Sequence, residues 1–136
     1  MKINWHDYAA HSANTPIQYA TLQEKASIIG RVGLMTLACG TGAWRVRSSM
    51  NILSQALGLT LMADIGLLSI NCTFFDGKEA LSQTLCLKSS GINATKRSLL
   101  EGFVKIFDRH LNASCEEIQR ALDDIEEQKA ITVPPS

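Results

Sequence analysis

The hydrophobic period of the chain changes from helical to alternating and back again, and this change limits the folds that the chain can form. Over residues 21–39 and 43–57, apolar residues recur every three or four positions, which predicts two amphipathic helices. Gly40 and Gly58 are the natural stops of these helices. The predicted buried stripes are Leu22, Ala26, Ile29, Val32, Met35 and Cys39 in the first helix, and Val46, Met50, Leu53 and Leu57 in the second.

The period falls to two in the middle of the chain. Over residues 68–74, apolar side chains alternate with Ser69, Asn71 and Thr73, which predicts a strand with one buried face. Asp76-Gly77 is a hairpin turn signal. A returning strand is therefore predicted at residues 80–88, and residues 59–63 predict a further strand before the hairpin.

Helical periodicity returns after a loop at residues 89–91. Residues 95–110 predict a third helix with the stripe Leu99, Phe103, Ile106 and His110. The last helix is predicted to begin at a capping box formed by Ser114 and Glu117. The order helix-helix, strands, helix-helix predicts an α+β fold, in which about four helices cover a small antiparallel sheet of two or three strands.

The chain has 136 residues, of which 46% are hydrophobic, and this suits one domain with its own core. Residues 1–18 are interpreted as an N-terminal arm that Trp5 and Tyr8 hold to the body. Residues 19–129 then form a single α+β domain. Residues 130–136 contain two prolines in succession and are interpreted as a linker.

Charge and cysteine spacing argue against several classes of protein. The formal net charge is zero and no basic stripe is present, so we expect no nucleic-acid partner. The four cysteines form no CxxC pair and have no zinc-ligand spacing with histidine, so we expect no metal and no cofactor, and interpret the cysteines as small buried hydrophobes. The chain has neither a signal-peptide pattern nor an apolar run of the roughly 18 residues that span a membrane, so we expect it to be soluble.

The candidate site lies where the second helix begins. Gly40, Thr41 and Gly42 precede a helix N-terminus, which carries unpaired N–H groups and partial positive charge, and Arg45 and Arg47 add two cations. This combination suits a carboxylate or another small anion. Because the arginines are two positions apart, at most one faces a given pocket. The alternative is that both arginines are solvated or paired with acids, and that the glycines form only a tight turn.

The polar face of the predicted strand supplies two further candidate binding residues, Asn71 and Thr73, although an ordinary solvated sheet surface is the simpler explanation of this pattern. The second interpretation is an enzyme, but the sequence offers few of the residue patterns that catalysis needs. Candidate nucleophiles such as Ser48, Ser49 and Cys72 have no evident base, and no known catalytic motif is present. The catalytic residues of such an enzyme are therefore unknown.

Residues 37–59 resemble the signature of the cytoplasmic N-terminal domain of the threonine/serine exporter family. That signature has the form G-A-x-T-x-R-V-E, followed by a helix that ends in A-x-x-x-G. This chain has Gly40-Thr41-Gly42-Ala43-Trp44-Arg45-Val46-Arg47, then Met50 and Gln55-Ala56-Leu57-Gly58. Gly40, Arg45 and Val46 match, whereas Arg47 replaces the acid and Ala43 the threonine of the signature. The order of the elements also follows the family over residues 22–125.

The resemblance implies a soluble domain on the cytoplasmic face of the bacterial inner membrane, with an accessory, gating or assembly role in export. The expected solute is threonine, serine or a small dicarboxylate such as succinate. The expected partners are membrane helices, either of the same chain beyond the linker or of a second small membrane subunit, and the family favours homo-oligomers. A hydrolase role has been proposed for this domain in the family. A free-standing module that binds a protein partner remains a third interpretation.

Overall fold

The computed structural model describes residues 3–9 and 14–128. Four helices are present in this part of the chain: α1 (Leu22–Ala38), α2 (Ala43–Ala56), α3 (Ala94–Lys105) and α4 (Cys115–Glu126). The strands are β1 (Thr60–Ile65), β2 (Ser69–Phe75) and β3 (Ala80–Cys86), and short 3-10 turns occupy Trp5–Ala9, Ile17–Tyr19 and Phe107–His110. The predicted α+β architecture and its order of elements are confirmed.

Helix α1 is the centre of the fold. It begins at a capping box, in which Thr21 accepts a hydrogen bond from the backbone of Glu24 and the Glu24 carboxylate accepts one in return. The helix is stopped by Gly40, two residues beyond its end, whose φ of +79° suits a residue without a Cβ. Almost every residue between is buried, because α1 contacts the three other helices, β2 and β3. The helix therefore lies in the core, and its buried polar residues Ser27, Arg31 and Thr36 all form hydrogen bonds there.

The three strands form an antiparallel sheet in the order β1-β2-β3. Ile70, Cys72 and Phe74 of β2 point to the covered face, where α1 and α2 pack, while Asn71 and Phe75 are exposed on the other face. The alternation read from the sequence therefore gave the correct buried face. The hairpin turn at Asp76 is held by the Asp76 carboxylate, which accepts hydrogen bonds from the backbone of Lys78 and Glu79.

Two glycines of α1 allow neighbouring elements to approach it closely. A Cβ at Gly33 would lie 2.6 Å from Sδ of Met50 in α2, and a Cβ at Gly30 would lie 2.9 Å from Cδ1 of Leu85 in β3. Gly33 thus sets how near α2 lies to α1, and Gly30 does the same for the sheet.

The stripe predicted for the third helix is wrong at two of its four positions. Leu99 and Ile106 are exposed, and the apolar residues that α3 and the following turn bury are Leu100, Phe103, Val104 and Phe107. Helix α3 ends at Lys105 and the chain continues as a 3-10 turn. The buried residues keep helical spacing, so two neighbouring stripes were possible, and the packing of α3 against α1, α2 and α4 decides which one is buried. Helix α4 buries Ile118 and Leu122, and Ser114 and Glu117 form the predicted capping box.

The described part of the predicted arm packs against α1 and α4. The ring of Trp5 lies 6.2 Å from that of Tyr8, and the guanidinium carbon of Arg31 lies 6.0 Å from the centre of the Trp5 ring. The predicted linker at residues 130–136 lies outside the described residues.

Candidate functional site

A small pocket lies between the first turns of α2 and α3. The sequence predicted the candidate site at this start of α2. The volume of the pocket is about 240 Å³. Thr36 and Thr41 lie at its α1 side. The remaining lining residues are Trp44, Arg45, Ser48 and Ser49 of α2, and Arg97, Leu100 and Glu101 of α3. Drug-sized ligands occupy pockets of roughly 300–1,000 Å³, so this pocket suits only a small solute.

The pocket carries two cations and one carboxylate. Nη1 of Arg45 lies 2.9 Å from Oε1 of Glu101, and Nε of Arg97 lies 3.9 Å from the same oxygen. The Arg45 guanidinium also sits over the Trp44 ring, 5.0 Å from its centre. All three charged side chains are about half exposed, so their ion pairs are weak, of the order of 0–1 kcal/mol. They can therefore be exchanged for contacts with a ligand.

The N-terminus of α2 is the only one of the four described helix starts without a side-chain cap. Gly42 is its N-cap residue and offers no side chain, whereas Thr21, Asn93 and Ser114 cap the other three helices. The Thr41 hydroxyl is turned the other way and donates to the carbonyl of Thr36, 2.8 Å away. The first N–H groups of α2 thus remain open to a ligand's negative charge.

The structure separates the other predicted site residues from this pocket. Arg47 points toward β1, where its Nε donates to the carbonyl of Ala63 over 3.4 Å. Asn71 and Thr73 lie on the open face of the sheet and pair across strands, with Thr84 donating to Asn71 and Thr73 bonding Ser82, each over 2.8 Å. Of the sequence candidates, Thr41 and Arg45 line the pocket, with Gly40 and Gly42 on either side of Thr41. Their partners Arg97 and Glu101 were not predicted.

Sequence patterns also missed a partly buried charge cluster, centred on Arg31 and His6, that joins the arm to α1 and α4. Arg31 is 2% exposed, and its Nη2 donates to Asp123 and to Glu126, each over 2.6 Å. His6 lies between two carboxylates, with Nδ1 2.8 Å from Glu116 and Nε2 2.7 Å from Asp123. No periodic signal could reveal these contacts, because they join residues more than 90 positions apart.

The electrostatics of the cluster follow from its geometry. Hydrogen bonds to Glu116 and Asp123 favour the imidazolium form and raise the pKa of His6 above its ordinary value. For Asp123, partial burial disfavours the charged form, but hydrogen bonds from Arg31 and His6 outweigh it and lower the pKa of that carboxyl. The cluster forms one wall of a groove of about 1,100 Å³, whose other walls are α1, the loop after β3 and the start of α3.

The described residues show no catalytic constellation around the candidate nucleophiles. No histidine or carboxylate hydrogen-bonds Ser48 or Ser49 in this part of the chain, and no group of His, Cys, Asp and Glu there is arranged to hold a metal ion. Burial raises the pKa of Cys72 to about 11, so its thiol is protonated near neutral pH. Cys39, Cys72 and Cys115 are buried as predicted, but Cys86 is exposed because it points to the open face of the sheet.

Comparison with known proteins gives a family. The family model ThrE, described as "putative threonine/serine exporter", matches residues 27–133, which is most of the chain and includes the pocket. Neither a curated protein nor a solved structure matches significantly. Within residues 3–9 and 14–128, no helix combines the length and hydropathy needed to cross a bilayer. The match covers far more than half of the sequence, and the chain therefore belongs to the ThrE family of threonine/serine exporters.

Proposed function

We propose that this chain is an accessory domain of a threonine/serine exporter, on the cytoplasmic face of the bacterial inner membrane, and that it captures the solute. The observation that carries the proposal is the pocket between α2 and α3. This cavity of about 240 Å³ is lined by two guanidinium groups and one carboxylate, and it lies beside the uncapped N-terminus of α2. Membership of the ThrE family supports the exporter context.

The charges of the pocket match those of a zwitterionic amino acid. The α-carboxylate is bound by Arg97 and Arg45 and by the open N–H groups of α2, because charged acceptors form the stronger hydrogen bonds with such donors. The ammonium group is bound by Glu101. The hydroxyl of threonine or serine is left within the reach of Ser48, which lines the same pocket.

Calorimetric titration of the chain with L-threonine, L-serine and succinate tests this capture. Arg97→Gln is expected to weaken binding of all three about tenfold or more, since a hydrogen bond to a charged group contributes roughly 1.5–3 kcal/mol. Glu101→Gln is expected to weaken the two amino acids but not succinate, which has no ammonium group. Arg47→Gln is the matched control, because Arg47 points away from the pocket. Absence of binding, or equal losses in the Arg47 and Arg97 variants, would contradict the proposal.

Export itself is measured in cells. A strain that lacks the gene and is fed a threonine-containing dipeptide is expected to accumulate threonine, and the restored gene is expected to lower it again. The partners proposed for this role are the membrane helices of the exporter, in the same chain or in a second small subunit, and further copies of the domain. Equal threonine pools with and without the gene would contradict the exporter role.

A further inference from the structure

The loops that follow α1, β1 and β3 lie together at one end of the molecule. The backbone N–H of Gly91 donates to the carbonyl of Ala38 over 3.0 Å, which ties the loop after β3 to the end of α1. The N–H of Leu87 donates to the carbonyl of Leu68 over 2.8 Å, which ties the same loop to the β1–β2 turn. Arg47 bonds Ala63, so the first turns of α2 lie beside the end of β1.

This end exposes an unusual amount of apolar surface. Leu67 and Ile92 are 93% and 89% exposed, more than any other large apolar residue in the described part of the chain. Trp44 and Leu68 are exposed at the same end, 67% and 39% respectively. We call these four residues the apolar tip. Because the loops and the helix start that carry these four residues meet at one end, their exposed side chains form a candidate interaction surface.

Several cations lie at the same end of the molecule as the apolar tip. Arg47 lies in α2 and Lys88 in the loop after β3, both of which carry tip residues, and Lys96 lies in the first turn of α3, directly after that loop. Among the described residues, no carboxylate lies within ion-pair distance of any of the three. Arg45 and Arg97 are two further cations at this end, and the carboxylate of Glu101 neutralises one of these two charges. Asp64 lies nearby on β1, and Glu126 and Glu127 face Lys96 across the groove. Since the whole chain has a formal net charge of zero, this basic end leaves the remainder with net negative charge.

We propose that the apolar tip and its cations dock the domain on an anionic lipid bilayer. Exposed aliphatic side chains gain by entering the acyl boundary, tryptophan is favoured at the headgroup level, and each nearby Lys or Arg is attracted to anionic headgroups. A nucleic acid would use the cations but not Leu67 and Ile92, so the bilayer accounts for more of the surface. This docking goes beyond solute capture, and Leu67, Ile92 and Lys88 do not line the solute pocket.

Vesicle co-sedimentation of the chain tests the docking, with phosphatidylcholine vesicles compared with vesicles that also contain phosphatidylglycerol. The chain is expected to bind the anionic vesicles, and less so at high salt. Leu67→Ser with Ile92→Ser is expected to lower the partition constant at least about a hundredfold, since burying each side chain contributes about 1.5–3 kcal/mol. Lys88→Gln with Lys96→Gln is expected to lower it about thirtyfold, at about 1 kcal/mol for each cation.

Substitutions of similar residue types away from the apolar tip serve as matched controls. Met62→Ser removes a side chain that is 73% exposed on the open sheet face, and Lys78→Gln with Lys105→Gln removes two exposed cations at the opposite end. Neither change should alter vesicle binding. All of the substituted side chains are exposed or line an open groove, and circular dichroism checks that each variant folds.

Three results would overturn the proposal: no binding to protein-free anionic vesicles, equal losses in the tip and control variants, or unchanged binding in both tip variants. Binding that requires vesicles loaded with the exporter's membrane protein would also overturn it and would indicate a protein partner instead. Solute titration of the tip variants is expected to match that of the unmodified chain, so failure of the docking and failure of solute capture are separate results.

Discussion

Replacing Gly33 by alanine should destabilise the domain, although alanine is the better helix former. The added Cβ would lie 2.6 Å from Sδ and 3.0 Å from Cγ of Met50, and 3.2 Å from Cδ1 of Ile70. Both neighbours are fully buried, so neither has solvent to move into. The change would push α2 away from α1, and with it the helix start that lines the solute pocket.

The expected magnitude combines two opposing effects. Alanine gains about 1 kcal/mol of helix propensity over glycine. Overpacking a well-packed core costs about 1–3 kcal/mol. The net free energy of unfolding should therefore fall by roughly 1 kcal/mol. Gly102→Ala in α3 is the matched control, because a Cβ there has no atom within 4 Å. The free energy of unfolding of the Gly102→Ala variant should rise by up to about 1 kcal/mol.

Urea unfolding followed by circular dichroism measures both variants. With a slope of about 2 kcal/mol per molar urea, the midpoint should fall by about 0.5 M for Gly33→Ala and rise by up to about 0.5 M for Gly102→Ala. In a Met50→Ala background, which removes the nearest atoms, Gly33→Ala should become neutral or stabilising. Equal stabilisation by Gly33→Ala and Gly102→Ala in the unmodified chain would refute the close packing of α1 against α2.

Three further predictions concern the arm, the thiols and a helix cap. Because the folded-state pKa of His6 is raised, its contribution to stability is present in full below its unfolded pKa and is lost as pH rises through the folded value. His6→Gln should therefore lower the urea midpoint at acidic pH more than at alkaline pH, and a pH-independent difference would contradict the ion pairs. Iodoacetamide should label Cys86 long before Cys72 in the folded chain, as read by mass spectrometry, and equal rates would contradict their burial. Ser114→Ala should cost about 1 kcal/mol by removing the α4 cap, and an unchanged midpoint would count against the capping box.

The order and type of the elements could be predicted because local patterns determine them. Alternation in β2 gave the buried face, Gly40 gave the end of α1, and the capping box of Ser114 and Glu117 gave the start of α4. The third helix shows where this reasoning stops. Leu99 and Leu100 both belong to stripes with helical spacing, and only the packing of α3 against the other helices decides which is buried.

The sequence predicted some of the residues around the candidate site but not all of them. The glycine turn and Arg45 could be found because a helix start, its breaks and its charges are adjacent in sequence. Arg97 and Glu101 could not, since nothing local shows that the first turns of α3 meet those of α2. The cluster around His6 and Arg31 escaped prediction for the same reason, because its contacts join residues more than 90 positions apart.

The most direct test of solute capture is a nitrogen-15 NMR titration of the chain with L-threonine. Solute capture predicts shifts of the backbone N–H groups of Ala43 and Trp44 and of the Arg97 side chain, with none on the open sheet face at Asn71. Saturation of these shifts would give the affinity at the pocket itself. No shifts at the start of α2, or shifts confined to the groove beside Arg31, would contradict the assignment of the pocket as the solute site.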